Sequence, residues 1–524
     1  MKGKIIIFFI IIEIINGNEY KCGNSIKNHK PPGIANINNK SNKRLLNNDF
    51  QQMKIKIDYT QLKIDLKDNE DIYVIIKSSL DLAIHYFELL LSVKKNSIEA
   101  ITPSRYKEVC DIDNVGQDFY TWFDEYDLVL FPSFENDVEN NKVYASARPC
   151  FVIRGTAAEQ RPIAGRIYIN NIFNFNKKNI IVFLQTILFH EITHVLVFDP
   201  YLMSKFEALK TEIINDETKY YVTSPLALKQ ARLHFGCNSL DGIPLEDQGD
   251  SGSAGSHWEG RYMLGDYMIS IHYQENVISD ITLALFEDSG WYKVNYYTGG
   301  LFRFGKNKGC EFFEKECIVD QKATFSEFCH KSKEPKCLAA HLSHGECYIG
   351  DYKDEEIPEK YQYFDKETLG GILNVNYCPT ADSYFKSDYK DTYYFETNCR
   401  YGATLNLVSH YGEVIGNKSL CFESSLVPRY SPQPYKMRNI CYKMACDRTN
   451  KNIMVFINDL NVTCPENGGT LKKIKGFKGE INCPEYNMVC TSEIWCNEMF
   501  ECIDRKSVTD YSTYINYKPN IEDL

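Results

Sequence analysis

No two of the 19 cysteines stand in a CxxC pair, which removes zinc ribbons and thioredoxin-like redox motifs from consideration. The chain also lacks an excess of basic charge. It carries −11 overall, and residues 1–48 hold eight Lys/Arg against only Glu13 and Glu19, so the acidity falls on the body. A body of that sign offers no electrostatic footprint for nucleic acid or for an anionic membrane. No fixed-period repeat is visible, which sets aside solenoids and propellers. Nor does any run approach the roughly 20 apolar residues of a membrane span. The run Ile5–Ile12 follows Lys2 and Lys4, is interrupted by Glu13 and leads into Ile15-Asn16-Gly17, so residues 1–17 read as a secretory signal peptide. The polar, acidic stretch Tyr511–Leu524 has no apolar tail of the kind a lipid-anchor signal needs.

What is present fits an oxidising compartment. At 524 residues, with 44% apolar and 25% charged residues, the chain is globular in composition and long enough for about three domains. Fifteen cysteines lie between Cys310 and Cys502, the pattern of a disulfide framework. The odd total leaves one thiol over, and the isolated Cys22 is the candidate. N-glycosylation sequons occur at Asn39, Asn417 and Asn461.

Residues 18–48, rich in Asn, Lys and Pro, cannot build a core and read as a flexible pro-segment. Strands are expected at Met53–Asp58, Asp127–Phe131 and Gly165–Asn170, and helices at Leu80–Val93, 179–197 and Ile278–Trp291. From about Gly299 the composition turns Cys- and Tyr-rich. The expected division is 49–199, 200–299 and a Cys-rich 300–524.

One motif carries chemistry. His190-Glu191-Ile-Thr-His194 lies inside the long apolar helix, where a four-residue spacing puts both imidazoles on one face, one turn apart, in reach of a single Zn²⁺. Glu191 is rotated by about 100° around the axis. It is placed to take a proton from a metal-activated water rather than to ligate. A catalytic zinc site usually has three protein ligands. The shorter metzincin pattern would put Gly and a third His at positions occupied by Val197 and Pro200, so the third ligand lies elsewhere. His234, His257, His272, His330, His341, His344 and His410 are all open by composition alone. His341-Leu-Ser-His344 is read as an exposed polar loop rather than a second metal site.

The stretch from Leu233-His-Phe-Gly-Cys237 through Pro244-Leu-Glu-Asp-Gln-Gly249 into Gly255-Ser-His-Trp-Glu-Gly-Arg261 resembles the leishmanolysin family of surface metalloproteases, a metzincin branch. Arg161-Pro-Ile-Ala-Gly165, Thr282–Tyr292, Gly468-Gly469 and Cys483-Pro484 extend the resemblance to about residues 50–502. It implies an α+β fold: a metzincin-type catalytic region with a zinc helix and a Met-turn, then a disulfide-rich, mainly β and loop region. It implies one catalytic Zn²⁺ held by His190, His194 and His257, with Glu191 as general base and Met268 in the Met-turn. Protein or peptide substrates follow, as does an extracellular location.

The resemblance also implies a pro-segment cysteine that blocks the zinc. Cys22 fits by position, although Gly23-Asn24-Ser25 departs from the family's pattern. Val197 stands where the family has Gly. Either the helix exit is remodelled around it, or the chain is catalytically weakened and acts as a cell-surface adhesion protein. The continuous apolar run Val195–Phe198 favours a helix that continues through Val197 toward Pro200.

Overall fold

A five-stranded mixed sheet runs in the order Gly33–Ala35, Ala145–Ile153, Pro162–Asn170, Leu128–Glu135, Ile55–Ile57. The two strands Ala145–Ile153 and Pro162–Asn170 pair antiparallel, and the other neighbours are parallel. This computed structural model describes residues 31–37, 50–135, 143–156, 159–173, 175, 180–248, 254–273, 275–296, 302–353, 356–382, 397–399, 411–416, 418–433, 436–447, 449–490, 496–497 and 501–502, and every absence stated below refers to these. Leu128, Val129, Leu130 and Phe131 are all buried, which is why that strand reads as an unbroken apolar run rather than an alternating one. The edge strand Gly33–Ala35 corrects the expectation of a flexible segment over 18–48. Its residues pair with Phe151–Ile153, and the Arg154 amide donates to the Ala35 carbonyl at 2.8 Å. Few apolar residues suffice there because an edge strand gains its order from a partner's backbone.

A 21-residue helix, Glu70–Leu90, packs beside the sheet. It starts ten residues before the expected Leu80, and acidic Glu70 and Asp71 in its first turn favour that start through the helix dipole. It ends at Leu90 because Leu91–Lys94 is taken into a small sheet between Phe50–Gln52 and Tyr292–Val294. Pairing with remote strands thus overrides the local helical pattern at Leu91–Val93.

The apolar helix Ile180–Leu196 runs between that helix and the sheet. Phe189 stacks on Phe87 with centroids 4.1 Å apart and meets Tyr86 edge-on at 5.0 Å. On the other side its approach to the strand Pro162–Asn170 requires a glycine. A Cβ at Gly165 would lie 2.2 Å from Val195 Cγ1. This gives the Arg161–Gly165 motif a physical meaning: it seats the turn of helix next to His194.

The helix stops at Leu196, so it does not continue to Pro200. The Val197 and Phe198 amides both donate to the Thr193 carbonyl, at 2.9 and 3.0 Å, the second bond being the wider i to i−5 type. Asp199 then caps the next helix, Pro200–Lys205, accepting from the amides of Tyr201 and Leu202. Val197 is fully buried and is not among the residues at positive φ. The chain turns here without the left-handed residue for which glycine would be needed.

Beyond the exit, the hairpin Leu209–Ile214 and Glu217–Val222 turns on Asn215 and Asp216, at φ 51° and 63°. The helix Pro225–Phe235 follows, closed by Gly236 at φ 69°. The helix expected over Ile278–Trp291 spans Asp280–Asp288, with the Ser279 hydroxyl accepting from the Thr282 amide as N-cap. Residues 419–483 supply a six-stranded antiparallel sheet. The main apolar core does not break at the composition shift near 299; it takes in Phe302, Phe312, Phe328 and Ala381. Cysteine density marks where crosslinks lie rather than where burial stops.

Seven disulfides join Cys237–Cys310, Cys317–Cys378, Cys329–Cys347, Cys337–Cys421, Cys399–Cys441, Cys446–Cys490 and Cys464–Cys483. Cys110 and Cys150 are free and buried in the apolar cluster with Tyr106, Phe131 and Phe151. Cys22, Asn39, Asn417 and the signal segment lie outside the described residues. Asn461 is exposed on the strand Leu460–Cys464. No helix is long and apolar enough to cross a membrane.

Two substitutions test this packing. Gly165→Ala should lower unfolding stability by about 1–3 kcal/mol, because the added methyl overpacks the helix–sheet contact; an unchanged denaturation midpoint would refute the close approach. Val197→Gly should destabilise by about 2–4 kcal/mol, from lost burial plus lost backbone restraint. A raised melting temperature would show that Val197 is strained after all.

Candidate active site

Three histidines meet at the buried end of the helix Ile180–Leu196. His190 and His194 come from successive turns, and His257 comes from the far end of the 195–256 insertion. The Nε2 atom of His190 lies 3.0 Å from that of His194 and 3.2 Å from that of His257. Each ring is oriented through its other nitrogen. His190 Nδ1 donates to the Tyr267 carbonyl at 2.6 Å and His194 Nδ1 to the Phe198 carbonyl at 2.7 Å. His257 Nδ1 contacts the Ser256 hydroxyl at 3.0 Å.

A carbonyl only accepts, so the Nδ1 atoms of His190 and His194 carry the protons. Burial pushes the His190 ring down to about 4, which keeps it neutral. The Nε2 atoms of those two rings therefore present lone pairs to one another inside an apolar core. That arrangement is repulsive unless a cation is shared between them. Tetrahedral zinc with Zn–N bonds of about 2.0–2.1 Å would hold its nitrogens about 3.3 Å apart. The donor set, its neutral state and its spacing fit zinc. Glu191, next to His190, is buried and lines a small cavity with it.

The loop carrying His257 is held between the Glu246 and Met268 segments by backbone bonds. The Glu246 amide donates to the His257 carbonyl and the Trp258 amide to the Met268 carbonyl, both at 2.9 Å. Met268 is fully buried, and its own amide donates to Asp266 Oδ1 at 2.8 Å. Asp266 Oδ2 accepts from the Thr282 hydroxyl at 2.8 Å and from the Ser279 amide at 3.2 Å. Burial raises this carboxyl to about 6, against the pull of those hydrogen bonds. Tyr267 OH donates to Thr193 Oγ1 at 2.9 Å, tying the same turn to the helix.

Asp266, Tyr267, Thr193 and the Phe198 carbonyl were not singled out from sequence. Asp266 left a faint signal, since an Asp that bonds the amide two residues on is a turn signature. The other three are recognisable only once the rings are in place.

The remaining histidines go elsewhere. His234 bonds the Phe304 carbonyl at 2.8 Å and stacks on Phe302. His272 contacts Thr186 Oγ1 at 3.4 Å, and His330 is half-buried beside the Cys329–Cys347 bridge. His341 bonds the Cys421 carbonyl. His344 lies with Cys399 and Cys441 at metal-ligand spacing, but those sulfurs are joined to each other and cannot act as thiolates. His410 lies outside the described residues.

Comparison with known proteins agrees with the resemblance. The family model described as Leishmanolysin matches residues 56–496. A leishmanolysin homolog of Crithidia fasciculata is 28% identical over 297 residues, 53% of this chain and 43% of that protein. A leishmanolysin-like peptidase of Drosophila pseudoobscura pseudoobscura is 30% identical over 315 residues, 53% of this chain and 45% of that protein. Leishmanolysin of Leishmania tropica is 25% identical over 327 residues, 58% and 47% respectively. The alignments thus span less than half the length of these relatives. The family match, by contrast, takes in both histidine motifs and most of the Cys-rich region, and on that ground the protein belongs to the leishmanolysin family.

Proposed function

We propose that this chain is a zinc-dependent metalloendopeptidase, secreted or at the extracellular surface, with His190, His194 and His257 as ligands and Glu191 as general base. The observation that carries this reading is the convergence of three imidazole Nε2 atoms within 4.8 Å of one another beside a buried carboxylate. A zinc ion bound there supplies Lewis-acid polarisation of a substrate carbonyl and acidifies water. The chain does the rest. Carbonyls of Tyr267 and Phe198 fix two rings in the tautomer that leaves Nε2 free to ligate. Glu191 accepts the proton of the attacking water and returns it to the leaving amine. The low-dielectric surroundings strengthen each of these electrostatic contacts.

In this reading residues 49–199 and 200–299 build a metzincin-type catalytic region, Met268 supports it from the turn, and 300–524 form the disulfide-rich region. Asn461 is open to glycosylation, and Cys22 is a candidate latency thiol on its sequence position alone. Val197 gives no reason to prefer the adhesion reading, because the helix exit accommodates it without left-handed backbone.

Two measurements test the assignment. Glu191→Ala should keep its zinc and lose about 10²–10⁴-fold in peptidase rate, the usual worth of a positioned base; residual cleavage near the wild-type rate would sink that role. His257→Ala should lower zinc content measured by atomic emission, whereas His234→Ala and His272→Ala should not. The reverse pattern would place the third ligand on the wrong histidine.

A further inference from the structure

Beside Glu191 and His190 the structure contains a cavity of about 30 Å³, bounded by Tyr144, Thr186, Ile187, Ile269, Ile271 and His272. Its walls come from three directions. Thr186 and Ile187 lie one turn before His190 on the same helix, 269–272 follow Met268, and Tyr144 leads into the strand Ala145–Ile153. The chemistry decides which part of a substrate would enter it. Once Glu191 has taken the proton of the attacking water it must give it to the nitrogen of the departing amine. That nitrogen therefore sits against Glu191, and the side chain on the carbon bonded to it is the one that reaches the cavity Glu191 lines.

The space is small and its walls are held. About 10–15 Å³ of such volume is needed per water-sized group, so roughly two heavy atoms fit: a methyl or a hydroxymethyl, but not the four carbons of leucine. The His272 ring packs on Phe183 with centroids 4.8 Å apart. The Thr186 hydroxyl already donates to the Phe183 carbonyl at 2.7 Å, so His272 Nε2 is the donor to Thr186 Oγ1. Tyr144 is held between Phe173 and Phe183, at 5.0 and 5.4 Å. Burial pushes the His272 imidazole down to about 3, so the ring adds bulk without charge.

We propose that His272 is the specificity-determining residue of this site. It shortens the pocket beside Glu191 so that only a small uncharged side chain (glycine, alanine or serine) is accepted immediately after the scissile bond. The inference rests on the proteolytic reading and names the substrate class of that same site.

The test uses zinc-loaded full chain and two peptides that differ only in the residue after the cleaved bond, alanine or leucine. Wild type should favour the alanine peptide in kcat/KM by about tenfold or more, the discrimination expected when a pocket cannot admit extra carbons. His272→Ala, with unchanged zinc content, should erase or invert that ratio. His272→Phe, which keeps the bulk and removes the polar atoms, should preserve it. Peptide binding to zinc-loaded Glu191→Gln, which keeps the shape of that wall and removes the base, followed by calorimetry, should show the same preference without turnover. Equal handling of both peptides by wild type, or an unchanged ratio in His272→Ala, overturns the inference. Absence of any cleavage by both wild type and Cys22→Ser, which removes the candidate latency thiol, overturns the proteolytic reading, while a preference for leucine in the binding arm overturns the pocket by itself.

Discussion

Two imidazoles facing each other through their Nε2 atoms at 3.0 Å are the constraint around which the rest of this molecule is arranged. Each ring is fastened from behind by a backbone carbonyl, one from Tyr267 and one from Phe198, and both are packed in apolar surroundings, so the pair is preset to share one cation. The third ring, His257, is brought in from 63 positions along the chain by bonds that involve backbone as much as side chain. Those attachments hold the site in shape and set which nitrogen of each ring is available.

The supports have their own supports. Gly165 lets the helix sit against the sheet at Val195, beside His194, and the wide turn at Val197 brings round the Phe198 carbonyl that His194 bonds. Asp266 collects an amide from Met268 and another from Ser279, so one buried carboxylate shapes the turn behind the histidines and anchors the helix that follows. A buried carboxylate is costly unless hydrogen-bonded, and the several donors here meet that need.

The Cys-rich region is fastened to the same segment. Glu275, four residues after Ile271, accepts the amides of Ala340, Leu342 and Ser343, and burial raises its carboxyl to about 7. The wall of the small cavity and the disulfide-stapled chain therefore share a short stretch of backbone. This explains why the apolar core runs on past the composition shift near residue 299. Disulfides such as Cys317–Cys378 crosslink this region, while Phe302, Phe312 and Phe328 bury in the same core as the histidine-bearing helix.

The sequence alone determined the chemistry on the helix. Four-residue spacing in His190–His194 forces two imidazoles onto one face by the geometry of the α-helix, whatever surrounds them. It also made the strand at Leu128–Phe131 legible, because burial on both faces leaves an apolar run, and the one at Gly165–Asn170, where Ile167 and Ile169 alternate with longer polar or aromatic residues. Residue patterns by themselves left seven histidines open as third ligand, and only resemblance to a family singled out His257. Three-dimensional packing decided the rest. The helix ending at Leu90, the strand at Gly33–Ala35 and the turn at Val197 each depend on hydrogen bonds to partners remote in sequence or on a buried fit. Local preference cannot encode such contacts, since the same residues would be content in another conformation without their partners. The bulk of His272 beside the site is of this kind: its composition is visible in the sequence, but its place is fixed only when Phe183, Thr186 and Tyr144 close around it.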